Sequence, residues 1–211
     1  ACWCDAIVAR VYSQKTLVQL SQSSKKPVIN ALSDLYHPCQ ALADLLTLKE
    51  HYGDLSKVHL AFVGDGNNVC HSLMLGAAIM GMTLTVVTPQ GFGPDAHVLL
   101  KAQAIAEKSG AKLTLSQHVS AAAGADAIYT DTWLSMGAKA DPKLVENLFA
   151  PYQINTAVMQ RLAIKHFMHC LPAHRGHEVT SEVLDSDNSL VLQQAENRMH
   201  AQNAVLVSLF S

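Results

Sequence analysis

The feature that most constrains this fold is the alternation of short apolar runs with helical patterns from Val58 onwards. One helical pattern begins at about Asn68, and a second runs from Asp95 to Lys108. The β-branched and apolar runs are VHLAFV, TLTVVT, KLTLS, AIYT and HFMHC. Such alternation predicts an α/β fold, with parallel strands flanked by helices on both faces of the sheet. Ligands of these folds bind at the carboxyl ends of the strands, so each polar loop after a strand is a candidate site.

A smaller strand–helix–strand unit precedes this alternation. Apolar runs at Asp5–Tyr12 and Lys26–Ala31 predict strands, and Gln14–Ser23 predicts a helix between them. The polar break that starts at Gly53 predicts a domain junction. The last segment, Glu196–Phe210, predicts a helix that packs back on the first unit.

A helix with well-marked ends joins the two units. Pro38 suits a first helical turn, and Ser33 and Asp34 offer capping oxygens upstream of it. Gly53 can end the helix in a left-handed conformation. We therefore expect a helix from Pro38 to Tyr52.

This helix carries two polar residues at its start. His37 and Gln40 lie one turn apart at the positive end of the helix dipole, a plausible place for an electron-rich oxygen. Leucine and tyrosine side chains at spacings of three to four predict an apolar stripe along the helix. The stripe consists of Leu42, Leu45, Leu46 and Tyr52.

Composition and charge favour a small-molecule ligand. The 211 residues have a formal charge of −2, and their lysines and arginines do not cluster, so neither a nucleic acid nor an anionic membrane is an expected partner. Ser72–Thr88 is short for a membrane span and predicts a helix followed by a strand. The five cysteines are irregularly spaced, and we expect a reduced, cytoplasmic protein.

The loop VGDGNN follows one predicted strand and precedes a helix. It lacks the third glycine of the dinucleotide-binding fingerprint, and no acid ends the next strand, so NAD binding is not expected. Two interpretations remain: an asparagine caps the helix, or Asn68 offers its amide to a polar ligand.

Two later loops carry more reactive side chains. Asp131 and Ser135 follow a strand, and Asp131 can bind an ammonium group or cap a turn. The loop HCLPAHRGH allows a metal site, a Cys–His nucleophile pair or a solvated loop. No second Cys/His pair has the spacing of a structural zinc site, so we expect no metal. His174 and His177 are expected to be solvated, and Cys170 is the strongest candidate in this loop.

Two arginines are candidates for an anion site. Arg10 lies in the first strand unit. Arg198 is predicted near the start of the last helix, where the helix dipole disfavours a cation, so it is either an anion ligand or a surface residue.

The segments HPCQALADLLTLKEHYG, VGDGNNVCHSLM, TDTWLSMG, HCLPAHRG and QAENR, in this order, resemble the ornithine carbamoyltransferase family. The resemblance implies transfer of a carbamoyl group from carbamoyl phosphate to the side-chain amine of L-ornithine, without a metal or organic cofactor. It also implies a homotrimer, or a multiple of trimers, in which subunits share the active site.

The resemblance also assigns roles to residues. It implies that His37 and Gln40 contact the carbamoyl group and that Arg10 and Arg198 hold carbamoyl phosphate. Cys170 lies beside the reacting amine. The backbone end of ornithine is held by Asn68, Asp131, Ser135 and Met136. The amine is also bordered by Leu171, whose bond to Pro172 is expected to be cis.

The chain departs from the family in one respect, because it contains no Ser-Thr-Arg-Thr phosphate-binding loop. We expect residues 1–52 to be the C-terminal part of a carbamoyl-phosphate-binding domain, 53–190 a Rossmann-like ornithine-binding domain, and 191–211 a helix that returns to the first. The 211 residues alone are expected to be inactive. The alternatives are a carbamoyltransferase for putrescine or aspartate and a non-catalytic ornithine-binding fragment.

Overall fold

The structure is a computed structural model that describes residues 3–133 and 141–211. Helices and strands alternate along the chain, which confirms the predicted α/β fold. The strands are β1 (Ile7–Arg10), β2 (Val28–Leu32), β3 (His59–Val63), β4 (Thr83–Val87), β5 (Lys112–Ser116), β6 (Ala127–Thr130) and β7 (His166–His169). The helices are α1 (Gln14–Ser23), α2 (Pro38–Tyr52), α3 (Asn68–Met80), α4 (Ala96–Ser109), α5 (Pro142–Phe149), α6 (Thr156–Arg161), α7 (Ser181–Leu184) and α8 (Val191–Phe210).

The strands form two parallel sheets. Five strands have the order β5-β4-β3-β6-β7, and β1 pairs separately with β2. The Ala-rich segment between β5 and β6 contains a 3-10 turn, Val119–Ala122. Because parallel strands end on the same side of a sheet, the loops after β3, β6 and β7 converge there.

The core lies on both faces of the five-stranded sheet. Alternate residues of β3 divide between two apolar clusters: Leu60 and Phe62 contribute to one, and Ala61 and Val63 to the other. This alternation follows from the two-residue period of a strand. A strand buried on both faces reads as a continuous apolar run, which is why β3 was recognisable from the sequence.

The most deeply buried face of α2 is partly polar, and the predicted stripe is wrong for Leu42, which is 43% exposed. Gln40, Asp44 and Thr47 are buried instead. The physical reason is that α8 packs against this face, and Gln194 and other polar residues of α8 supply hydrogen bonds to it.

The predicted caps of α2 are also wrong. His37 is the N-cap and makes no side-chain capping bond. Ser33 Oγ accepts from backbone N–H groups of the turn before the helix, and Asp34 Oδ1 accepts from the backbone N–H of Gln14 at the start of α1. Gly53 ends α2 with the predicted positive φ of 77°, but its ψ of −74° lies outside the left-handed helical region.

The last helix begins at Val191, earlier than the predicted Glu196. Arg198 therefore lies beyond the first turn, and the argument that placed it against the helix dipole was wrong. The predicted helix and strand within Ser72–Thr88 are confirmed as parts of α3 and β4. In the described ranges, no helix has the length and apolar character needed to cross a membrane.

Gly66 generates a prediction about the loop between β3 and α3. A Cβ built on it would lie 2.4 Å from Pro94 N and 2.5 Å from Gly93 C, both backbone atoms. Because backbone cannot yield as a side chain can, Gly66→Ala should lower the free energy of unfolding by about 1–3 kcal/mol. Urea unfolding of the natural protein measures this change.

The matched control is Gly76→Ala in α3. Its Cβ would meet Leu45 Cδ1 at 2.9 Å, and this is the end of a flexible side chain. Alanine also favours a helix over glycine by about 1 kcal/mol, so this variant should be close to neutral. Equal destabilisation by the two variants would contradict the prediction.

Candidate active site

A cavity of about 400 Å³ opens at the carboxyl ends of the strands, beside the start of α2. Most of the residues predicted for the site line it, and they come from β1, from the starts of α2 and α3, from the loops after β6 and β7, and from α8. They are Arg10, His37, Gln40, Asn68, Asp131, Cys170, Leu171 and Arg198. The other two, Ser135 and Met136, lie outside the described residues.

Arg10 is the last residue of β1 and lies in the cavity wall. The β1–β2 register shifts between Ala9 and Arg10, so Arg10 pairs with Leu32. Such an irregularity bends a strand and redirects the side chain that follows.

His37 presents a neutral imidazole. Burial, followed by the positive charges of Arg198 and Arg10, lowers its pKa to about 4. Its backbone N–H donates to Ser72 Oγ at 2.7 Å, which anchors the start of α2 to α3. The imidazole Nδ1 is buried and has no hydrogen-bond partner among the described residues. A neutral imidazole offers one N–H donor and one acceptor.

Gln40 and Arg198 meet across the interface of α2 and α8. Arg198 Nη1 donates to Gln40 Oε1 at 2.6 Å, and Gln40 Nε2 donates to Asp44 Oδ1 at 2.8 Å. Arg198 therefore enters the cavity as part of a network that starts in α2.

Asp131 directly follows β6 and lines the opposite wall of the cavity. Its Oδ2 accepts from Asn67 Nδ2 at 2.7 Å, and its Oδ1 accepts from the Cys170 thiol at 2.9 Å and from the Thr132 backbone N–H at 2.7 Å. Burial and the nearby Asp131 raise the pKa of the Cys170 thiol well above its ordinary value. A thiol that keeps its proton is a poor nucleophile, which argues against the Cys–His interpretation.

The two asparagines of VGDGNN have different surroundings. Asn67 caps α3, because its Oδ1 accepts from the backbone N–H groups of Val69 and Cys70. Asn68 lines the cavity, and its Nδ2 donates to the backbone carbonyl of Ser33 at 2.6 Å.

The loop after β7 is held by a buried pair. His169 Nε2 lies 3.2 Å from Glu178 Oε1, and His169 Nδ1 accepts from the Leu171 backbone N–H at 2.8 Å. Leu171 has a positive φ of 55°, a conformation that bulky residues rarely adopt, and the predicted cis bond to Pro172 is present. His169, itself paired with Glu178, therefore holds Leu171 at the cavity wall in this positive-φ conformation.

Glu178 stays charged in this pair. Its burial opposes ionisation, but hydrogen bonds from His169 and from the His174 backbone N–H outweigh it and lower the pKa of Glu178. The side chains of His174 and His177 are more than half exposed, in keeping with a solvated loop.

Three potential metal ligands come together beside the cavity. Asp131, His169 and Cys170 offer atoms that lie within 4.8 Å of one another. Both ring nitrogens of His169 already contact protein groups, so this arrangement does not favour a resident metal ion.

Asp44 and Glu178 were not predicted from the sequence; both are fully or almost fully buried and support the cavity walls. Asp44 lies four residues after Gln40, on the same face of the helix, so this spacing was a usable signal. Glu178 had no comparable signal, because its partner His169 lies in a different element.

Comparison with known families accounts for almost the whole chain. Residues 56–209 match the aspartate/ornithine carbamoyltransferase Asp/Orn binding domain, and residues 1–50 match the carbamoyl-P binding domain of the same family.

Individual relatives agree with these matches. The ornithine carbamoyltransferase of Shewanella oneidensis is 59% identical over 211 residues, which are 100% of this chain and 70% of that protein. The structure of the Pyrococcus furiosus ornithine carbamoyltransferase superimposes with a TM-score of 0.93 at 48% identity, over 97% of this chain and 66% of that one. The structure of the Gloeobacter violaceus ornithine carbamoyltransferase superimposes with a TM-score of 0.91 at 43% identity, over 99% of this chain and 71% of that one. The chain therefore belongs to the aspartate/ornithine carbamoyltransferase family, among its ornithine carbamoyltransferases.

Proposed function

We propose that this protein transfers the carbamoyl group of carbamoyl phosphate to the side-chain amine of L-ornithine, giving citrulline and phosphate. The observation that carries the proposal is the meeting of eight predicted residues around one cavity. The reaction forms a C–N bond, breaks the bond between the carbamoyl carbon and the phosphate oxygen, and removes a proton from the attacking nitrogen.

The carbamoyl oxygen is assigned to the wall formed by His37, Gln40 and Arg198. Attack by an amine builds negative charge on this oxygen, so donors already in place stabilise the transition state more than the ground state. His37 suits this role because its lowered pKa of about 4 keeps the imidazole neutral at pH 7, with one N–H to donate. Arg10 and Arg198 bring positive charge towards the phosphate.

The ornithine end is assigned to Asp131 and Cys170. The carboxylate of Asp131 can accept from the α-ammonium group, while the side-chain amine reaches the carbamoyl carbon. The Cys170 thiol already carries a proton, which it donates in a hydrogen bond to Asp131. If the sulfur accepts a proton from the amine, the thiol proton must therefore pass to Asp131. The departing phosphate is the other acceptor within the reaction itself.

The charge of Asp131 favours ornithine over the alternative amines. Aspartate would bring a second carboxylate towards Asp131, and like charges repel more strongly beside a buried carboxylate. Putrescine lacks the α-carboxylate that the amide of Asn68 could contact. Ser135 and Met136 remain part of the proposed ornithine site.

The organisation of the protein is also part of the proposal. We assign residues 1–52 to the carbamoyl-phosphate side, 53–190 to the ornithine side and 191–211 to a helix that returns to the first. The whole protein is proposed to be cytoplasmic, to act in arginine biosynthesis and to assemble as a trimer or a multiple of trimers that shares its active sites. Two observations fit: α8 packs on α2, and Cys4, Cys39, Cys70 and Cys170 are free thiols.

The first prediction concerns the reaction. The natural protein should form citrulline from carbamoyl phosphate and ornithine, and colorimetric detection of citrulline measures it. Aspartate and putrescine are the matched alternative substrates. Carbamoylation of either in place of ornithine would overturn the assignment. The 211 residues alone, which contain no Ser-Thr-Arg-Thr loop, should form little citrulline.

The second prediction concerns His37. His37→Ala should lower kcat by roughly 10²- to 10³-fold, the loss that follows removal of one donor to a developing oxyanion. The free energy of unfolding should change by only about 1 kcal/mol, as is common for single substitutions. His97→Ala, at an exposed position on α4, is the control and should keep its turnover. Unchanged kcat in His37→Ala would refute the assigned role.

The third prediction concerns Asp131. Asp131→Asn should raise the KM for ornithine roughly 10- to 100-fold, because a hydrogen bond to a charged group is replaced by one to a neutral amide. The KM for carbamoyl phosphate should stay nearly constant. Asp34→Asn is the control, since Asp34 also lines the cavity but accepts from the Gln14 backbone N–H. Equal effects of the two variants on ornithine would contradict the proposed contact.

A further inference from the structure

Asp44 is a buried acidic side chain that the reaction chemistry does not use directly. It lies on α2, its side chain has no exposed surface, and it does not line the cavity. Burying a carboxylate is costly unless it is hydrogen-bonded. The groups that contact Asp44 therefore indicate the role of this buried side chain.

Two amide groups converge on one oxygen of Asp44. Gln40 Nε2 donates to Oδ1 at 2.8 Å from the same helix, and Gln194 Nε2 donates to it at 2.7 Å from α8. Asp44 Oδ2 has no hydrogen-bond partner among the described residues. The carboxylate thus joins the first turns of α2 and α8.

Asp44 also decides which way the Gln40 amide points. A carboxylate accepts hydrogen bonds, so it faces the amide nitrogen of Gln40 and turns the amide oxygen towards Arg198. Arg198 Nη1 donates to that oxygen at 2.6 Å. With the amide reversed, its oxygen would face the carboxylate and its nitrogen would face the guanidinium, and both contacts would be lost.

The charges around Asp44 come from three elements. Burial raises its pKa to about 7, while the hydrogen bonds from Gln40 and Gln194, the proximity of the Tyr129 hydroxyl on β6 and the charge of Arg198 on α8 oppose this rise. The hydrogen bonds and the charge of Arg198 thus keep the pKa of Asp44 below the value that burial alone would give, and the ionised form accepts most strongly from the Gln40 amide.

We infer that Asp44 is a positioning residue of the carbamoyl site, whose carboxylate orients the Gln40 amide and, through it, the Arg198 guanidinium at the cavity wall. The inference rests on the proposed function. Under this inference Gln40 and Arg198 contact the substrate, whereas Asp44 does not contact it and acts only through these two residues. Misplacing such groups by about 1 Å can cost 10²-fold in rate.

The test compares Asp44→Ala with Thr47→Val in the natural protein. Thr47 is buried one turn further along α2, and its Oγ1 accepts from Asn197 Nδ2 of α8 at 2.9 Å without contacting Gln40. Both variants remove a buried contact between the same two helices. Asp44→Ala should lower kcat about 10- to 100-fold and raise the KM for carbamoyl phosphate, with the ornithine KM unchanged. Thr47→Val should keep all three values within about twofold.

A double-mutant cycle with Gln40→Ala separates positioning from general loosening of the fold. If Asp44 acts through Gln40, Asp44→Ala should cost no further turnover once Gln40 is alanine. Asp44→Asn keeps an acceptor oxygen, should lower kcat by only about fivefold, and allows the same cycle if Asp44→Ala does not fold. Additive losses, or Asp44 variants with the kinetics of Thr47→Val, would overturn the inference. Absence of citrulline formation by the unmutated protein would instead overturn the proposed function.

Discussion

The site depends first on the polar contact between α2 and α8, two helices far apart in the sequence. Asp44 accepts there from both Gln40 and Gln194, and Arg198 donates to the amide oxygen of Gln40. An apolar contact could slide, since apolar attraction is non-directional, whereas hydrogen bonds between buried groups require one alignment. This interface therefore brings a guanidinium from the last helix to the mouth of α2, where the carbamoyl group is proposed to react.

The parallel sheet supplies the rest of the cavity. Because β3, β6 and β7 end on the same side, Asn68, Asp131 and Cys170 meet although they follow different strands. The buried supports of these residues are hydrogen bonds and not apolar contacts alone: Asn67 and Cys170 donate to Asp131, and Glu178 steadies the loop after β7. Rigid strands and hydrogen-bonded polar groups together fix the positions of side chains more precisely than loops could alone.

Local patterns predicted the strands and the helix boundaries of α2 well, because each depends on residues close in sequence. They failed where distant partners decide. Leu42 looked like a core residue by its spacing, yet it is exposed, because α8 covers a different face of α2. Asp34 looked like a cap for α2, but Gln14 lies close enough in space to use its oxygen.

The sequence by itself determined the parallel α/β architecture, the family and most of the candidate site residues, since apolar period and ordered motifs are local properties of the chain. Only the tertiary structure revealed which of those residues contact one another and in which protonation state: the hydrogen bond of Gln40 to Asp44, the protonated thiol of Cys170 against Asp131, and the neutral His37 under the influence of two arginines. The physical reason is that hydrogen-bond direction and proton affinity depend on burial and on charges brought in from distant segments, and these exist only once the chain has folded.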